Sequence, residues 1–315
     1  MDEKKALTDA LMANIGRVIV GKEETVRLTV AALLAGGHVL LEDVPGTGKT
    51  KLARALARSV DVSYRRIQFT PDLLPSDVTG LSVYSPKTGA FEFKPGPVFT
   101  QILLADEINR ATPRTQAGLL ECMEERQVTA DGVTRKLSEP FFVIATQNPI
   151  ETSGTFPLPE AQLDRFLVKL SMGFPDESEE LAILNRFAVQ EPLEELSPVM
   201  TGEDVLMLRA TAAQISISQE LLQYITKIIA ATRNHPQILS GCSPRGSLAL
   251  LKTARVLALM EGRDYVVPED IKALAVPVLA HRLILARSYA GGAQAQDLIC
   301  GILDTVPVPT EDFAK

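Results

Sequence analysis

Short, largely apolar runs alternate with amphipathic segments between about Val18 and Leu170. In the amphipathic segments, apolar residues recur at the spacing of three and four that is typical of helices. The apolar runs are Val39–Leu41, Arg66–Phe69, Ile102–Ala105, Phe141–Thr146 and Phe166–Leu170. Strands separated by helical segments are typical of a parallel sheet flanked by helices. The pattern therefore predicts an α/β fold for this part of the chain.

The pattern changes beyond Pro175, where the strand-like runs end and the helical spacing continues. The helices predicted there are Glu179–Val189, Asp204–Ile215, Gln219–Arg233, Gly246–Glu261 and Glu269–Ala286. Proline and acidic residues at positions 268–270 form a favourable start for the last of these helices. We therefore predict two domains, an α/β domain over residues 1–175 and an all-helical domain over residues 176–315.

The composition is that of a globular protein with a substantial core, since 46% of the residues are hydrophobic and 23% are charged. A net charge of −7 argues against a general nucleic-acid binder, which usually carries a basic face. The three cysteines have no CxxC spacing, which fits a reducing compartment and gives no metal signature. No apolar segment reaches the roughly 20 residues that span a bilayer, and no signal sequence is visible. We expect a cytoplasmic protein without membrane insertion.

The most informative motif is the sequence Pro-Gly-Thr-Gly-Lys-Thr between the first apolar run and a helical segment. Its residues are Pro45, Gly46, Thr47, Gly48, Lys49 and Thr50. A glycine loop at a helix start directs backbone N–H groups toward phosphates, so that Lys49 would reach the β- and γ-phosphates and Thr50 would bind Mg²⁺. The full pattern has Gly where this chain has Asp43, and we expect Asp43 to tolerate the unusual backbone angles of that turn. The loop predicts a nucleoside triphosphate site; the alternative is a glycine-rich connection without a ligand.

Polar residues follow two further apolar runs. Asp106 and Glu107 follow Ile102–Ala105, where Asp106 would hold Mg²⁺ and Glu107 would accept a proton from the attacking water or orient it. Asn148 follows Phe141–Thr146 and could contact the γ-phosphate or the water. The alternative for Asn148 is a turn residue before proline, which its own sequence favours.

Two segments have the alternation and turn residues of hairpins, Ser82–Lys94 and Gln127–Leu137. Phe91 and Phe93 would share one strand face in the first. Arg135 and Lys136 in the second could contact nucleic acid, although exposed hairpin charges are more often solvated.

Taken in order, these motifs resemble an AAA+ ATPase and, more narrowly, the MoxR family. The strings that carry the resemblance are Gly36–Glu42, Arg66–Asp77, Ala105–Arg110, Ala145–Pro149, Leu163–Phe166 and Ser243–Arg245. They extend the similarity over nearly the whole chain, from about Val18 to Leu285. The resemblance implies a P-loop core followed by a helical lid domain.

The resemblance also implies a role for each matching residue. Lys49 and Thr50 match Walker A, with Lys51 beside them, and Asp106 and Glu107 match Walker B. Asn148 matches sensor 1, Arg165 the arginine finger that enters a neighbouring subunit's site, and Arg245 the sensor 2 residue that reaches from the lid onto the phosphates. The alternative for Arg165 is an intramolecular salt bridge, and the alternative for Arg245 is a surface arginine at a helix start. The residues implied for the adenine pocket are Val20 and Gly21, and Arg110 is a further candidate for a subunit interface.

The implied activity is Mg²⁺-dependent hydrolysis of ATP between subunits of a ring, in this family typically a hexamer, that remodels or matures a client protein. Partners with a von Willebrand factor A domain are typical of the family. The alternatives that remain are a magnesium-chelatase-like ATPase subunit, a DNA-remodelling motor, and a scaffold that binds ATP and hardly turns it over. The acidic balance disfavours the DNA motor, and Glu107 with Arg165 disfavours the scaffold.

Overall fold

The computed structural model describes residues 1–150, 154–188, 191–286 and 294–309. Two predicted ends, Val189 of a helix and residues 310–315 of the helical domain, lie outside the described residues. The strands are β1 Val39–Glu42, β2 Tyr64–Gln68, β3 Gly80–Ser85, β4 Ala90–Pro95, β5 Ile102–Asp106, β6 Gln127–Ala130, β7 Val133–Lys136, β8 Phe142–Gln147, β9 Val168–Leu170, β10 Ile238–Ser240 and β11 Ile284–Leu285. The α-helices are α1 Asp2–Gly16, α2 Glu23–Leu34, α3 Lys49–Ser59, α4 Pro75–Thr79, α5 Pro113–Glu125, α6 Glu160–Leu163, α7 Glu177–Phe187, α8 Gly202–Ala213, α9 Gln219–Arg233, α10 Pro244–Met260, α11 Pro268–Leu279 and α12 Ala295–Thr305.

The predicted apolar runs form one five-stranded sheet in the order β2-β5-β8-β1-β9. Every neighbouring pair in this sheet is parallel, so all carboxyl ends meet at one edge. The register pairs Val39 with Ile144 and Leu104 with Ile144, which aligns the ends of β1, β5 and β8. Ligands of open α/β sheets bind outside the carboxyl ends of the strands, and three of the predicted motifs follow these three ends. The predicted α/β fold is confirmed.

Both faces of the sheet are buried, which explains why its strands are continuous apolar runs instead of alternating ones. One hydrophobic cluster includes Val39, Leu41 and Leu104 together with residues of the flanking helices. A second cluster on the opposite face includes Leu40 and Leu103. Helices cover each face, so the strand ends keep a fixed spacing at the edge.

The chain beyond the sheet forms the predicted helical domain, with one addition. Strands β10 and β11 form a small antiparallel sheet in which Ile238 is opposite Leu285. The predicted helix Glu269–Ala286 is therefore too long at its end. Helix α11 ends at Leu279 and is followed by a 3-10 turn, Ala280–Arg282. The side chain of Arg282 turns inward there and donates to the carbonyl oxygens of Phe166 and Leu167, at 2.7 and 3.2 Å.

The two predicted domains share part of one core. Helix α1 contacts α10, and α2 contacts α8 and α10. Apolar residues from both parts, such as Leu33 and Leu257, belong to the same buried cluster. The amphipathic helices that precede the first motif thus connect the sheet to the lid. Within the described residues, no helix has the length and apolar character needed to cross a membrane.

The two predicted hairpins form as β3–β4 and β6–β7 and contact each other. The hydroxyl of Ser82 donates to Asp131, at 2.5 Å. The guanidinium of Arg135 lies over the ring of Phe93, 3.9 Å from its centroid, and also donates to backbone carbonyls of its own hairpin. Arg135 therefore has partners between the hairpins, which favours the structural interpretation of this residue.

A buried histidine links three elements behind the sheet edge. Nδ1 of His38 accepts from the N–H of Val143 at 3.0 Å, and Nε2 donates to the carbonyl of Met123 at 3.1 Å. Burial lowers the pKa of His38 from 6.5 to about 4, and Arg126 and Arg209 oppose its protonation further. The imidazole is therefore neutral in the folded chain at neutral pH.

This neutral histidine predicts a loss of stability in weak acid. Between the unfolded pKa of 6.5 and the folded pKa of about 4, the unfolded chain binds a proton that the folded chain does not, so stability falls as the pH falls. From pH 7.5 to pH 5.0, His38 should lower the free energy of unfolding by about 2 kcal/mol. Urea unfolding of the wild type and of His38→Gln at both pH values measures this contribution. The variant should be less stable at pH 7.5 with a shallower pH slope, and equal slopes would contradict the prediction.

Candidate nucleotide-binding site

A cavity of about 500 Å³ opens at the carboxyl edge of the sheet. Its lining combines the glycine loop after β1, the carboxylates after β5 and the amide after β8, together with residues of α7. The predicted site residues that line it are Val20, Pro45, Gly46, Thr47, Gly48, Lys49, Thr50, Lys51, Asp106, Glu107 and Asn148. The parallel strand order therefore brings together motifs that are far apart in the sequence.

The glycine loop has the shape of a phosphate cradle. Gly46 and Gly48 adopt φ angles of 89° and 92°, which only glycine adopts readily. A Cβ atom at Gly46 would meet nothing within 4 Å, so it would project into open space at the loop. Helix α3 begins at Lys49 with no side-chain cap, which leaves its first N–H groups to bind an anion at the positive helix end. The loop therefore suits a nucleotide phosphate.

The side chain of Lys49 folds along this loop. Its Nζ donates to the carbonyl oxygens of Asp43 and Val44, at 2.7 and 3.0 Å. Burial lowers the pKa of Lys49, while the charges of Asp43, Asp106 and Glu107 raise it. The ammonium is thus partly withdrawn from water and surrounded by acceptors, a setting in which phosphate oxygens are strong partners.

Asp43 has a different role from the one expected. The residue is not among those with a positive φ, so the unusual backbone angles predicted for it are not observed. Its carboxylate instead accepts from the hydroxyl of Ser171 at 2.9 Å and from the N–H groups of Met172 and Gly173. A glycine could not make these bonds. Through these hydrogen bonds Asp43 connects the chain that follows β9 to the start of the phosphate loop.

Asp106 is buried at the end of β5 and accepts on both carboxylate oxygens. The hydroxyl of Thr146 donates to Oδ1 at 2.6 Å. Arg66 donates to Oδ2 through Nη2 at 2.6 Å and through Nε at 3.2 Å. Together with the Thr50 hydroxyl, Asp106 supplies the oxygen chemistry that Mg²⁺ prefers. Arg66 would have to release Oδ2 before that oxygen could hold a metal.

Glu107 lies beside Asp106 in a strained backbone conformation. Its φ and ψ are 54° and 48°, in the left-handed region, which costs a non-glycine residue about 1–3 kcal/mol. The N–H of Glu107 donates to Thr146 at 2.9 Å, and Oε2 accepts from Gln68 at 2.7 Å. Arg110 contacts the same oxygen at 3.0 Å through Nε. Strain of this kind at a carboxylate in a cavity is typical of a functional residue.

Asn148 combines both interpretations offered by the sequence. Its Oδ1 accepts from the N–H of Ile150 at 3.1 Å, which is the turn geometry expected before Pro149. The residue also lines the cavity. Its side-chain nitrogen is the group that could donate to a phosphate or to a water.

The cavity lining also contains an apolar group of residues that suits a base, here called the base end of the cavity. This group consists of Val18, Ile19 and Val20 together with Ile183 and Phe187 of α7. The ammonium of Lys51 lies 3.5 Å from the centroid of the Phe187 ring. Sequence reasoning identified Val20 and Lys51 but missed the residues of α7, which the helical spacing alone does not mark as site residues.

Gly21 does not line the cavity, although it was predicted to. Its φ is 68°, and a Cβ atom there would lie 2.0 Å from Oε1 of Glu179. The absence of a side chain allows Glu179 of α7 to reach Lys22, at 2.9 Å. Gly21 therefore shapes the cavity indirectly by letting α7 approach.

The two predicted arginines lie elsewhere. Arg165 and Arg245 line a second cavity of about 280 Å³, and neither lines the first. Nε of Arg165 is 3.2 Å from Oε2 of Glu124, and Nη2 of Arg245 contacts Oε1 of the same carboxylate. The expectation that Arg245 reaches onto the phosphates is not met within one chain. The reason is the start of α10, where Ser243 caps the helix and donates to Asp164, at 3.0 Å.

The comparisons with known proteins agree with this geometry. Residues 38–168 match the ATPase family associated with various cellular activities (AAA), and residues 230–299 match the AAA lid domain. YeaC of Bacillus subtilis is 52% identical, over 96% of this chain and 94% of its own length. Chaperone MoxR1 of Mycobacterium tuberculosis is 41% identical over 94% and 80% of the two chains. Protein MoxR of Paracoccus denitrificans is 34% identical over 94% and 95%.

A solved structure gives the same result. A Cytophaga hutchinsonii protein, provisionally described as an ATPase, superimposes with a TM-score of 0.92. It is 39% identical, and the match covers 98% of this chain and 96% of that one. The parallel sheet, the phosphate loop and the helical lid define an AAA+ ATPase. Within that class, the chain belongs to the MoxR family.

Proposed function

We propose that this ATPase hydrolyses Mg²⁺-bound ATP at sites shared between neighbouring copies of the chain in a ring, with residues 1–175 as the nucleotide-binding core and residues 176–315 as the lid. The observation that carries this proposal is the separation of Arg165 and Arg245 from the phosphate loop of their own chain. Arginines of this kind stabilise the charge that develops on a transferred phosphoryl group. A neighbouring copy is the partner that would receive them.

The charges around the second cavity support this arrangement. Its lining contains five cationic side chains and two carboxylates, Glu124 and Asp164. The cations are Arg126, Arg165, Arg245, Lys252 and Arg282. An excess of positive charge in a concave surface attracts anions. The triphosphate end of a neighbour's ATP is an anion of that kind.

The main polar and apolar groups of the first cavity have separate chemical tasks in the proposed reaction. The loop N–H groups and Lys49 hold the phosphates, while Thr50 and Asp106 would hold Mg²⁺. When bound, the metal neutralises phosphate charge. Glu107 accepts the proton of the attacking water, and Asn148 orients that water or the γ-phosphate. The adenine would lie among the apolar lining residues Val18, Ile19, Val20, Ile183 and Phe187.

We propose that the ring, a hexamer, uses the cycle to remodel a client protein in the cytoplasm. One relative is named a chaperone, which supports a protein client over a nucleic acid. The net charge of −7 points the same way. A protein with a von Willebrand factor A domain is the partner that we propose to test first.

The first experiment measures ATP turnover per subunit against protein concentration for the wild type and for Arg165→Ala. We expect wild-type turnover to rise with concentration as rings assemble. Arg165→Ala should lower the plateau by about 10²–10³, less than the full effect of such arginines in other NTPases, because a ring retains partial activity. A fluorescent ADP analogue should bind both proteins equally.

Arg54→Ala is the matched control, since Arg54 is exposed on α3 and lines neither of the two cavities. Its turnover should equal that of the wild type. Turnover that is independent of concentration and unaffected by Arg165→Ala would mean that the site is complete in one subunit, and the shared site would be wrong.

A further inference from the structure

One carboxylate contacts both arginines of the second cavity. Glu124, near the end of α5, forms an ion pair with Arg165 through one oxygen and accepts from Arg245 with the other. All three side chains are partly exposed, at 37% for Glu124, 31% for Arg165 and 43% for Arg245. Two guanidinium groups from distant parts of the sequence are therefore held side by side at the surface.

The backbones that carry the two arginines are also joined by a carboxylate. Asp164 directly precedes Arg165 and accepts from the hydroxyl of Ser243 at 3.0 Å. The same hydroxyl accepts from the N–H of Arg245 at 3.2 Å. The backbone segments that carry the two arginines are thus linked through Asp164 and the Ser243 hydroxyl, and both guanidinium groups contact Glu124.

Arg282 of the lid binds the segment that carries Arg165 from both sides of that residue. Its side chain is only 2% exposed, and its Nε donates to Asp164 at 2.8 Å. Its Nη2 donates to the carbonyl of Phe166 at 2.7 Å. A buried cation needs this many partners, because an uncompensated charge in the interior is costly. The segment that carries Arg165 is therefore fixed relative to the lid helix that carries Arg245.

The position of Glu124 is fixed as well. The carbonyl of Met123, the preceding residue, accepts from Nε2 of buried His38 at 3.1 Å. Arg126, two residues further on, donates to the carbonyl of Gly36 at 3.1 Å. Glu124 is thus presented by a stretch of chain that is tied to the start of β1 on both sides.

We propose that Glu124 is a positioning residue that presents Arg165 and Arg245 as one preassembled pair to the phosphates of a neighbouring copy. Two adjacent guanidinium groups repel each other, and the carboxylate between them removes that cost. The ion pair with Arg165 is made by Nε and the one with Arg245 by Nη2, so each guanidinium keeps nitrogens that this carboxylate does not contact and that can bind a phosphate oxygen. This inference rests on the proposed shared site.

The test compares Glu124→Gln with Glu125→Gln, because Glu125 is the exposed neighbouring acid on the same helix and does not line the arginine cavity. Turnover at saturating Mg²⁺-ATP, affinity for a fluorescent ADP analogue, and ring assembly by light scattering are measured at one protein concentration. Glu124→Gln should lower kcat at least about tenfold, since small misplacements of catalytic groups cost factors of this size. Affinity and assembly should stay unchanged, and Glu125→Gln should match the wild type.

A double-mutant cycle separates positioning from an independent effect. Residues that act as one unit give non-additive losses. Glu124→Gln should therefore add little to the loss caused by Arg165→Ala, whereas independent effects would multiply. Full additivity would overturn the proposal. A Glu124→Gln turnover equal to that of the wild type would overturn it too, and a turnover above that of the wild type would mean that the carboxylate restrains the arginines. If Arg165→Ala itself has no effect, the shared site fails; if only Glu124→Gln has none, the shared site survives and this inference does not.

Discussion

Replacing Glu107 with glutamine is expected to stop ATP hydrolysis and leave ATP bound. The amide keeps the size of the side chain and can still accept from Gln68, whose nitrogen lies 2.7 Å from Oε2 in the wild type. It cannot accept a proton from water, and a positioned general base contributes about 10²–10⁴ to a rate. We expect turnover to fall by that factor, with the affinity for a fluorescent ATP analogue within about threefold of the wild type. Release of phosphate and equilibrium binding measure the two quantities separately.

Asp106→Asn provides the contrast for this prediction. Asp106 would hold the metal, so its loss should raise the Mg²⁺ concentration that nucleotide binding requires, an effect that Glu107→Gln should not have. If Glu107→Gln turns over ATP within threefold of the wild type, another group receives the proton and the role of Glu107 is wrong. Asp106, the other carboxylate that lines the cavity, would then become the residue to examine.

The fold was predictable because its signals are local and repeated. Each buried strand is a short apolar run, and the glycine loop must lie between a strand and a helix. The parallel arrangement follows from the helices between the strands, and it alone brings residues 45–50, Asp106 and Asn148 to one edge. The sequence pattern alone therefore places these distant motifs in one cavity.

Other features depend on tertiary contacts that no local pattern encodes. The sequence suggested backbone tolerance for Asp43, whereas its carboxylate in fact binds the chain after β9. The end of α11 was misjudged because helical spacing continues past Leu279, while Arg282 turns the chain inward to bind Phe166. The position of Arg245 depends on how the lid lies against the core. A motif gives the residue type at such a position but not the direction in which the lid presents it.

Replacing Lys49 with alanine is expected to remove nucleotide binding. The lysine is already held at the loop by the carbonyls of Asp43 and Val44, at 2.7 and 3.0 Å, so its ammonium needs little ordering to meet a phosphate. Charge-assisted hydrogen bonds contribute about 1.5–3 kcal/mol each, and two of them to phosphate oxygens amount to a loss in affinity of about 10²–10⁴. Titration with a fluorescent ATP analogue measures the affinity directly.

Lys51→Ala distinguishes this charge effect from a general disturbance of α3. Lys51 is two residues further along the same helix and lies over Phe187 at the base end of the cavity, where a cation–π contact contributes about 0.5–2 kcal/mol. Its loss in affinity should therefore be about 30-fold at most. Saturating ATP should raise the melting temperature of the wild type and of Lys51→Ala but not that of Lys49→Ala, because only a ligand that binds the folded chain stabilises it. Equal affinities for the wild type and Lys49→Ala would refute the phosphate role of the loop lysine. Equal losses of affinity in Lys49→Ala and Lys51→Ala would show that the integrity of α3, and not the charge at its start, determines binding.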